Sequence, residues 1–243
     1  MPDDILAPLR TCAIEIGEAV KNYRRRGFSG QRETQYHLDL VADEVALRVL
    51  HGAGFQIVSE ESGRSGEGAL TVVVDPIDGS TNCDRGVPFY ATSLAVLRDE
   101  ELVAGFVMNQ ATGTIFEAER GAGATRDGEP IRASGQESPA RALMSFSGLP
   151  SRHLGWAQSR SMGAASLEIC LVADGSLDVY AVAQHSTLNP WDYLAGLLIL
   201  REAGGVDGDY LDEELVTSET VLRHPVFCAS RSLFQFMISA GRV

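Results

Sequence analysis

The sequence predicts a mixed α/β (α+β) protein built as two packed lobes, and three observations carry that reading. Apolar residues recur at helical spacing in four separated stretches, short runs rich in Val, Ile, Leu and Phe lie between them, and the texture changes near residue 140. Up to that point helices come first and strands follow; beyond it the two alternate. The expected organisation is therefore an N-terminal α+β lobe over 1–140 and a C-terminal α/β lobe over 141–243. No repeat, low-complexity tract or long linker separates them, so they are expected to pack as one unit.

Ile5, Leu9, Cys12, Ile16, Ala19 and Tyr23 fall on one helical stripe with Gly27 beyond its end, which predicts a first amphipathic helix. A second follows in "HLDLVADEVALRVLHGAG", where Leu38, Val41, Val45 and Val49 form the apolar stripe and Gly52 and Gly54 close it. Asp39 and Asp43 stand four apart and share a face, a spacing compatible with a solvated acidic stripe or with a functional pair. "FQIVSEES" and "LTVVVD" read as strands, "ATSLAVLRDEELVAGFVMN" as two strands joined by a charged turn, and "TIFEAERGAGATRDGEPIRAS" as further strands and turns. In the second lobe "LMSFSG" and "LDVYAVA" read as strands, and "SMGAASLEICLVADG" and "NPWDYLAGLLILREAGG" as helices. Asn189 is placed to cap the last of these, Pro190 fits its first turn, and Gly204 and Gly205 end it.

Composition narrows the function. The 243 residues carry a formal charge of −13, which opposes binding to nucleic acid or to an anionic membrane surface. The one basic run, Arg24 to Arg26, falls where the first helix should end and would complement its dipole. Cys12, Cys83, Cys170 and Cys228 are far apart and show no C-x-x-C spacing, so neither a zinc site nor a disulfide framework is expected. The acidic start "MPDDILAPLR" is unlike a signal peptide, and no apolar run approaches the length of a membrane span. The expected setting is the cytoplasm.

The chemistry lies in the carboxylates. Glu60 and Glu61 end one predicted strand, Asp75 and Asp78 flank the D-P-I-D-G turn after another, and Asp192 opens a helix over a hundred residues later. Singly, each has a structural explanation: D-P and D-G form turns, and an acid in the first turn of a helix suits its dipole. Together they form the oxygen-rich set that a hard divalent cation such as Mg²⁺ requires.

These residues also carry a resemblance. "SEES", "DPIDGSTN" and "PWDYLAG" followed by "REAGG", in this order and spacing, resemble the inositol monophosphatase family of metal-dependent phosphatases, which includes fructose-1,6-bisphosphatases and nucleotide 3'-phosphatases. The likeness runs from Ile5 to about Ser230 and is greatest to the compact archaeal-type and bacterial members that act on both inositol phosphates and fructose bisphosphate. It implies a layered αβαβα sandwich and a Mg²⁺-dependent phosphatase of small polyol or sugar phosphates, with two or three ions per site. It also implies a small phosphorylated substrate and a homodimer. The alternatives within the fold are a 3'-phosphoadenosine-5'-phosphate or histidinol-phosphate phosphatase and a non-catalytic regulatory protein.

Carried over residue by residue, the resemblance implies that Glu60, Asp75 and the carbonyl of Ile77 hold one metal and that Asp75, Asp78 and Asp192 hold a second. Ser80 would aim the attacking water together with a carboxylate from the second helix; Asp43 matches the family position, and Asp39, one turn earlier, is an alternative. Gly79, Ser80, Gly163, Ala165, His185, Asp78 and Asp192 are the implied substrate contacts. His185 stands where inositol-specific relatives carry a glutamate. Where many relatives have V-T-x-A-D this chain has "LDLVAD", so Leu40 replaces the threonine and Asp39 adds a carboxylate.

Overall fold

A computed structural model of the chain describes residues 4–32 and 34–243. Helices α1 (Leu6–Asn22) and α2 (His37–Gly52) pack as a pair. They precede strands β1 (Gln56–Ser59), β2 (Gly63–Ser65) and β3 (Thr71–Asp78), the short helix α3 (Ser80–Arg85), and β4 (Ala91–Arg98). The chain continues through β5 (Glu101–Asn109), β6 (Ile115–Glu119), β7 (Gly123–Arg126) and β8 (Glu129–Pro130). These eight strands form one sheet in the order β2-β1-β3-β4-β5-β6-β7-β8, antiparallel except for the β1–β3 pair.

The remaining elements are β9 (Leu143–Ser147), β10 (Gln158–Arg160), α4 (Ala165–Ala173), β11 (Val179–Val182), α5 (Pro190–Glu202), β12 (Val206–Asp209), β13 (Pro225–Cys228) and α6 (Arg231–Ala240). Their five strands make a second sheet, ordered β10-β9-β11-β13-β12.

Strand periodicity sorts the core into three slabs. Val72, Val74, Leu94, Val96 and Phe106 face α1 and α2, whereas Val73, Ala95, Leu97 and Val107 face the opposite way, toward α4 and α5. In the second sheet Tyr180, Val182 and Phe227 face α4 and α5, while Val179, Ala181, Val226 and Cys228 pack with Leu233 and Met237 of α6. The result is five layers, α1α2, sheet, α4α5, sheet and α6, the αβαβα sandwich expected. The middle layer is apolar nearly all round: α5 buries Trp191 and every residue from Tyr193 to Leu200. It lies so close to the first sheet that a Cβ on Gly105 would sit 2.6 Å from the carbonyl oxygen of Ala195.

Two expectations need correction. The buried face of α2 is Leu38, Asp39, Ala42, Asp43, Ala46 and Leu50, with Val41, Val45 and Val49 only half-buried. Two alanines let the helix approach its neighbours closely along that face, and the rotation carries both aspartates inward. They are not a solvated stripe. Arg24 to Arg26 lie beyond the end of α1, whose last turn holds only Lys21, so they do not complement its dipole; Arg26 donates to the carbonyl of Cys83 at 3.2 Å.

Candidate active site

The end of β3 organises the site. Asp75 pairs with Ser93 of β4 and Asp78 with Ala91, so two residues on β3, Pro76 and Ile77, lie opposite one on β4, Thr92. That β-bulge at Pro76–Ile77 reverses the ordinary alternation. Without it the two aspartates would point to opposite faces; with it both turn toward α4 and α5. Proline suits the bulge because it lacks the N–H a regular ladder would demand, and its carbonyl accepts a hydrogen bond from Thr92 Oγ1 at 2.9 Å. Gly79, at φ 86°, then turns the chain into α3, where a Cβ would meet the carbonyl oxygen of Gly163 at 2.9 Å.

Three carboxylates converge in front of this bulge. One oxygen each of Glu60, Asp75 and Asp192 lies within 4.8 Å of the others. Glu60 is carried there by β1, parallel to β3, and Asp192 by the first turn of α5, where it accepts the N–H of Asn189 at 2.7 Å. Burial and mutual repulsion push all three carboxyls up: Glu60 to about 7, and Asp75 and Asp192 well above the usual range. Asp75, 2 % exposed, lies beside Glu60, whose charge helps to raise its pKa, and its Oδ1 is buried with no hydrogen-bond partner. None of the ion pairs among the described residues involves Glu60, Asp75, Asp78 or Asp192. An acidic trio in which Asp75 is buried and Glu60 and Asp192 are half-buried, with an orphaned oxygen and only oxygen donors, fits a hard divalent cation.

Asp78 stands apart from the trio. Its Oδ1 accepts Ala165 N at 3.2 Å and its Oδ2 accepts Ser166 N at 2.7 Å and the Ser166 hydroxyl. It thus caps α4 from the end of β3, and burial pushes its pKa up to about 7 despite those donors. The amide of Ala165 is consequently engaged, and that of Gly163 donates to Glu168 at 3.1 Å. The Ile77 carbonyl accepts the Ser80 hydroxyl at 2.9 Å. His185 is exposed in the turn between β11 and α5 and makes no hydrogen bond among the described residues.

The expected Ser80–Asp43 pair does not form. Asp43 Oδ1 accepts the Ser59 hydroxyl, and Ser59 Oγ in turn accepts Glu61 N at 3.1 Å, so Asp43 braces the turn that presents Glu60 and Glu61. Asp39 is the aspartate beside Ser80. Its Oδ2 accepts Tyr36 N at 2.8 Å, its Oδ1 is buried and unpartnered, and the neighbouring Ser80 hydroxyl draws its pKa down while burial raises it to about 6. The same carboxylate is near enough to Glu60 to raise the pKa of that residue. One helical turn separates the two aspartates, and the inward rotation of α2 gives Asp39 the site and Asp43 the strand behind it.

Sequence reasoning missed Ser59, Ser166, Asn82 and Glu168. Asn82 Nδ2 donates to the carbonyls of Phe89 and Met162, both at 2.8 Å, which fastens α3 to the loop before α4. Glu168 accepts Ser145 Oγ and the amides of Met162, Gly163 and Ala164, fixing that loop. Its signal was present: an acid inside the otherwise apolar helix "ASLEICLVA" must be buried and therefore partnered.

Comparison with known proteins agrees with this geometry. The model of the inositol monophosphatase family matches residues 1–239. A fructose-1,6-bisphosphatase/inositol-1-monophosphatase of Archaeoglobus fulgidus is 36% identical over 71% of each chain. The Nus factor SuhB of Pseudomonas aeruginosa is 34% identical, again over 71% of each. Among solved structures, an inositol monophosphatase-fructose 1,6 bisphosphatase superposes with a TM-score of 0.84 at 25% identity, over 97% of this chain and 99% of that one. With a family model spanning nearly its whole length and the motif residues assembled at one bulge, the chain belongs to the inositol monophosphatase family.

Proposed function

We propose that the chain is a Mg²⁺-dependent phosphatase that hydrolyses a phosphate monoester of a small polyol or sugar, with inositol-1-phosphate and fructose-1,6-bisphosphate the first candidates. The observation that carries this reading is the trio Glu60, Asp75 and Asp192, which is gathered around the buried Asp75, presents only oxygens and takes part in no ion pair among the described residues. Those residues, with the Ile77 carbonyl and Asp78, would hold the metal. Bound Mg²⁺ supplies Lewis acidity and neutralises charge on the phosphate.

The chain's own groups do the rest. Asp39, with a free buried oxygen and a pKa of about 6, is suited to accept a proton from the attacking water near neutral pH. Ser80 is placed to hold that water beside it. Water attacks phosphorus as the bond from phosphorus to the ester oxygen breaks; the water's proton passes to Asp39, and the departing ester oxygen takes a proton from a solvent water and leaves as the polyol hydroxyl. Asp43 acts one step back by fixing Ser59 and the Glu60 turn.

The chain's net charge of −13 leaves an anionic substrate little to bind except through cations, which agrees with metal-mediated recognition. Two relatives carry the name Nus factor SuhB or putative Nus factor SuhB, so a regulatory role is the second reading. The assembled carboxylates favour catalysis, because a purely regulatory chain has no need to crowd two further carboxylates against the buried Asp75 at a cost in stability. The test is a phosphate-release screen of the purified protein with Mg²⁺. It would cover inositol-1-phosphate, fructose-1,6-bisphosphate, histidinol phosphate and 3'-phosphoadenosine-5'-phosphate. Release from one of the first two supports the reading; no release from any of them overturns it.

A further inference from the structure

A second group of metal-ligand side chains lies away from the active site, at the far edge of the five-stranded sheet. Asp209 ends β12, Glu213 lies in the connection that follows, and His224 immediately precedes β13. One ligand atom of each, a carboxylate oxygen from Asp209 and Glu213 and an imidazole nitrogen from His224, comes within 4.8 Å of the others. Asp209 is 7 % exposed, and its oxygens accept Leu211 N at 2.7 Å and His224 N at 2.6 Å. Those bonds fix the carboxylate while leaving each oxygen a further lone pair.

The independent observation is on the histidine. Its Nδ1 is buried and meets neither donor nor acceptor. A buried ring nitrogen left so is costly in either tautomer. Glu213, for its part, is exposed and has only a 3.6 Å ion pair with Arg223 to hold it. A cation at the centre of the three would engage one imidazole nitrogen and both carboxylates at once.

We infer that Asp209, Glu213 and His224 form a second cation site, of the mixed carboxylate–imidazole kind that takes Zn²⁺ or a similar divalent transition ion. The donor sets sort the metals. The oxygen-only trio at the bulge suits Mg²⁺, whereas imidazole is a poor partner for Mg²⁺ and a good one for zinc. An ion here would clip the two ends of the β12–β13 connection, residues 210–224. That connection reaches the active-site helix: Arg223 bridges Leu188, directly before Asn189, and Tyr193 of α5 donates to the Leu215 carbonyl at 2.8 Å. Occupancy therefore stabilises the segment packed beside the first turn of α5.

The test uses the full chain with the central trio disabled by Glu60→Gln and Asp75→Asn. Equilibrium dialysis against Zn²⁺ should find about one ion retained per chain, with a rise in melting temperature and no such retention of Mg²⁺. Adding His224→Gln should weaken Zn²⁺ binding by at least about tenfold and remove the thermal rise. Glu213→Gln should act the same way, and because Glu213 is exposed its loss cannot be ascribed to a misfolded chain. Absence of Zn²⁺ retention in the double variant, or retention that neither further substitution weakens, would overturn the inference. Neither result bears on phosphatase activity, which is read on the wild-type chain.

Discussion

Glu168 at the start of α4 and Asp75 at the end of β3 are equally withdrawn from water, at 1 % and 2 % exposed, yet their surroundings are opposite. Glu168 is ringed by a hydroxyl and three backbone amides, every one a donor. Asp75 faces Glu60, Asp78 and Asp192, and one of its oxygens meets nothing. Burial raises the pKa of both, but only around Glu168 do hydrogen bonds oppose it. A buried carboxylate supplied with donors belongs to the architecture. One supplied with other carboxylates is arranged for a cation that the chain does not itself provide.

The sharpest way to break that comparison is to neutralise each acid in turn. Asp75→Asn should lower phosphate release by at least about three orders of magnitude while the melting temperature of the metal-free protein holds or rises, because a repulsive charge is gone. Glu168→Gln should do the reverse, setting an amide NH₂ against backbone donors and costing about 1–3 kcal/mol of stability by denaturant unfolding. If Asp75→Asn destabilises the metal-free chain as much as Glu168→Gln does, the two acids play the same part.

Asp39 and Asp43 repeat the contrast one turn apart on α2. Asp39→Asn and Ser80→Ala should each lower kcat by about 10²- to 10⁴-fold with little change in KM, and the double variant should lose little beyond the worse single. Asp43→Asn, which disturbs a hydrogen bond to Ser59, should chiefly cost stability, about 1–3 kcal/mol. Steady-state kinetics beside thermal unfolding separates them; a crippled Asp43→Asn next to a near-silent Asp39→Asn would return the role to Asp43.

Replacing Mg²⁺ by Ca²⁺ should lower the rate by about tenfold or more, since calcium prefers a larger and looser oxygen shell. Equal rates would mean that the trio imposes no geometry. The smallest effect concerns pH. The carboxyls of Glu60 and Asp78 rise from 4.5 and 3.8 to about 7, and that of Asp39 from 3.8 to about 6. Groups raised on folding stabilise the fold below their unfolded values, and that contribution is lost as pH climbs through the folded ones. The metal-free protein should therefore melt several degrees lower at pH 8 than at pH 5. A melting temperature that climbs over the same interval would place the acids among donors, as Glu168 is placed.

Much of this was legible in the sequence where local pattern and tertiary demand agree. The apolar strand in "LTVVVD" and the capped start of "NPWDYLAG" lie where they were expected, because each has a local cause, whereas the D-P-I-D turn expected after that strand is instead the bulged end of β3, with the turn only at Gly79. The orientation of α2 was not legible. Its valines outrank its alanines in apolarity, yet close packing against small residues turned Asp39 and Asp43 inward, and only the three-dimensional contact decides which of them meets Ser80. The bulge at Pro76–Ile77 was hidden for a related reason: period-two reading puts Asp75 and Asp78 on opposite faces, and only the register with β4 reunites them.

The central claim is that the trio Glu60, Asp75 and Asp192 is built for a divalent cation, and a Mg²⁺ titration of the melting temperature at pH 8 tests it most directly. The wild-type protein should rise steadily as Mg²⁺ exceeds its dissociation constant, following the logarithm of the ion concentration, and Asp75→Asn should stay flat. A wild-type melting temperature unmoved by millimolar Mg²⁺, or an equal rise in Asp75→Asn, would contradict the account.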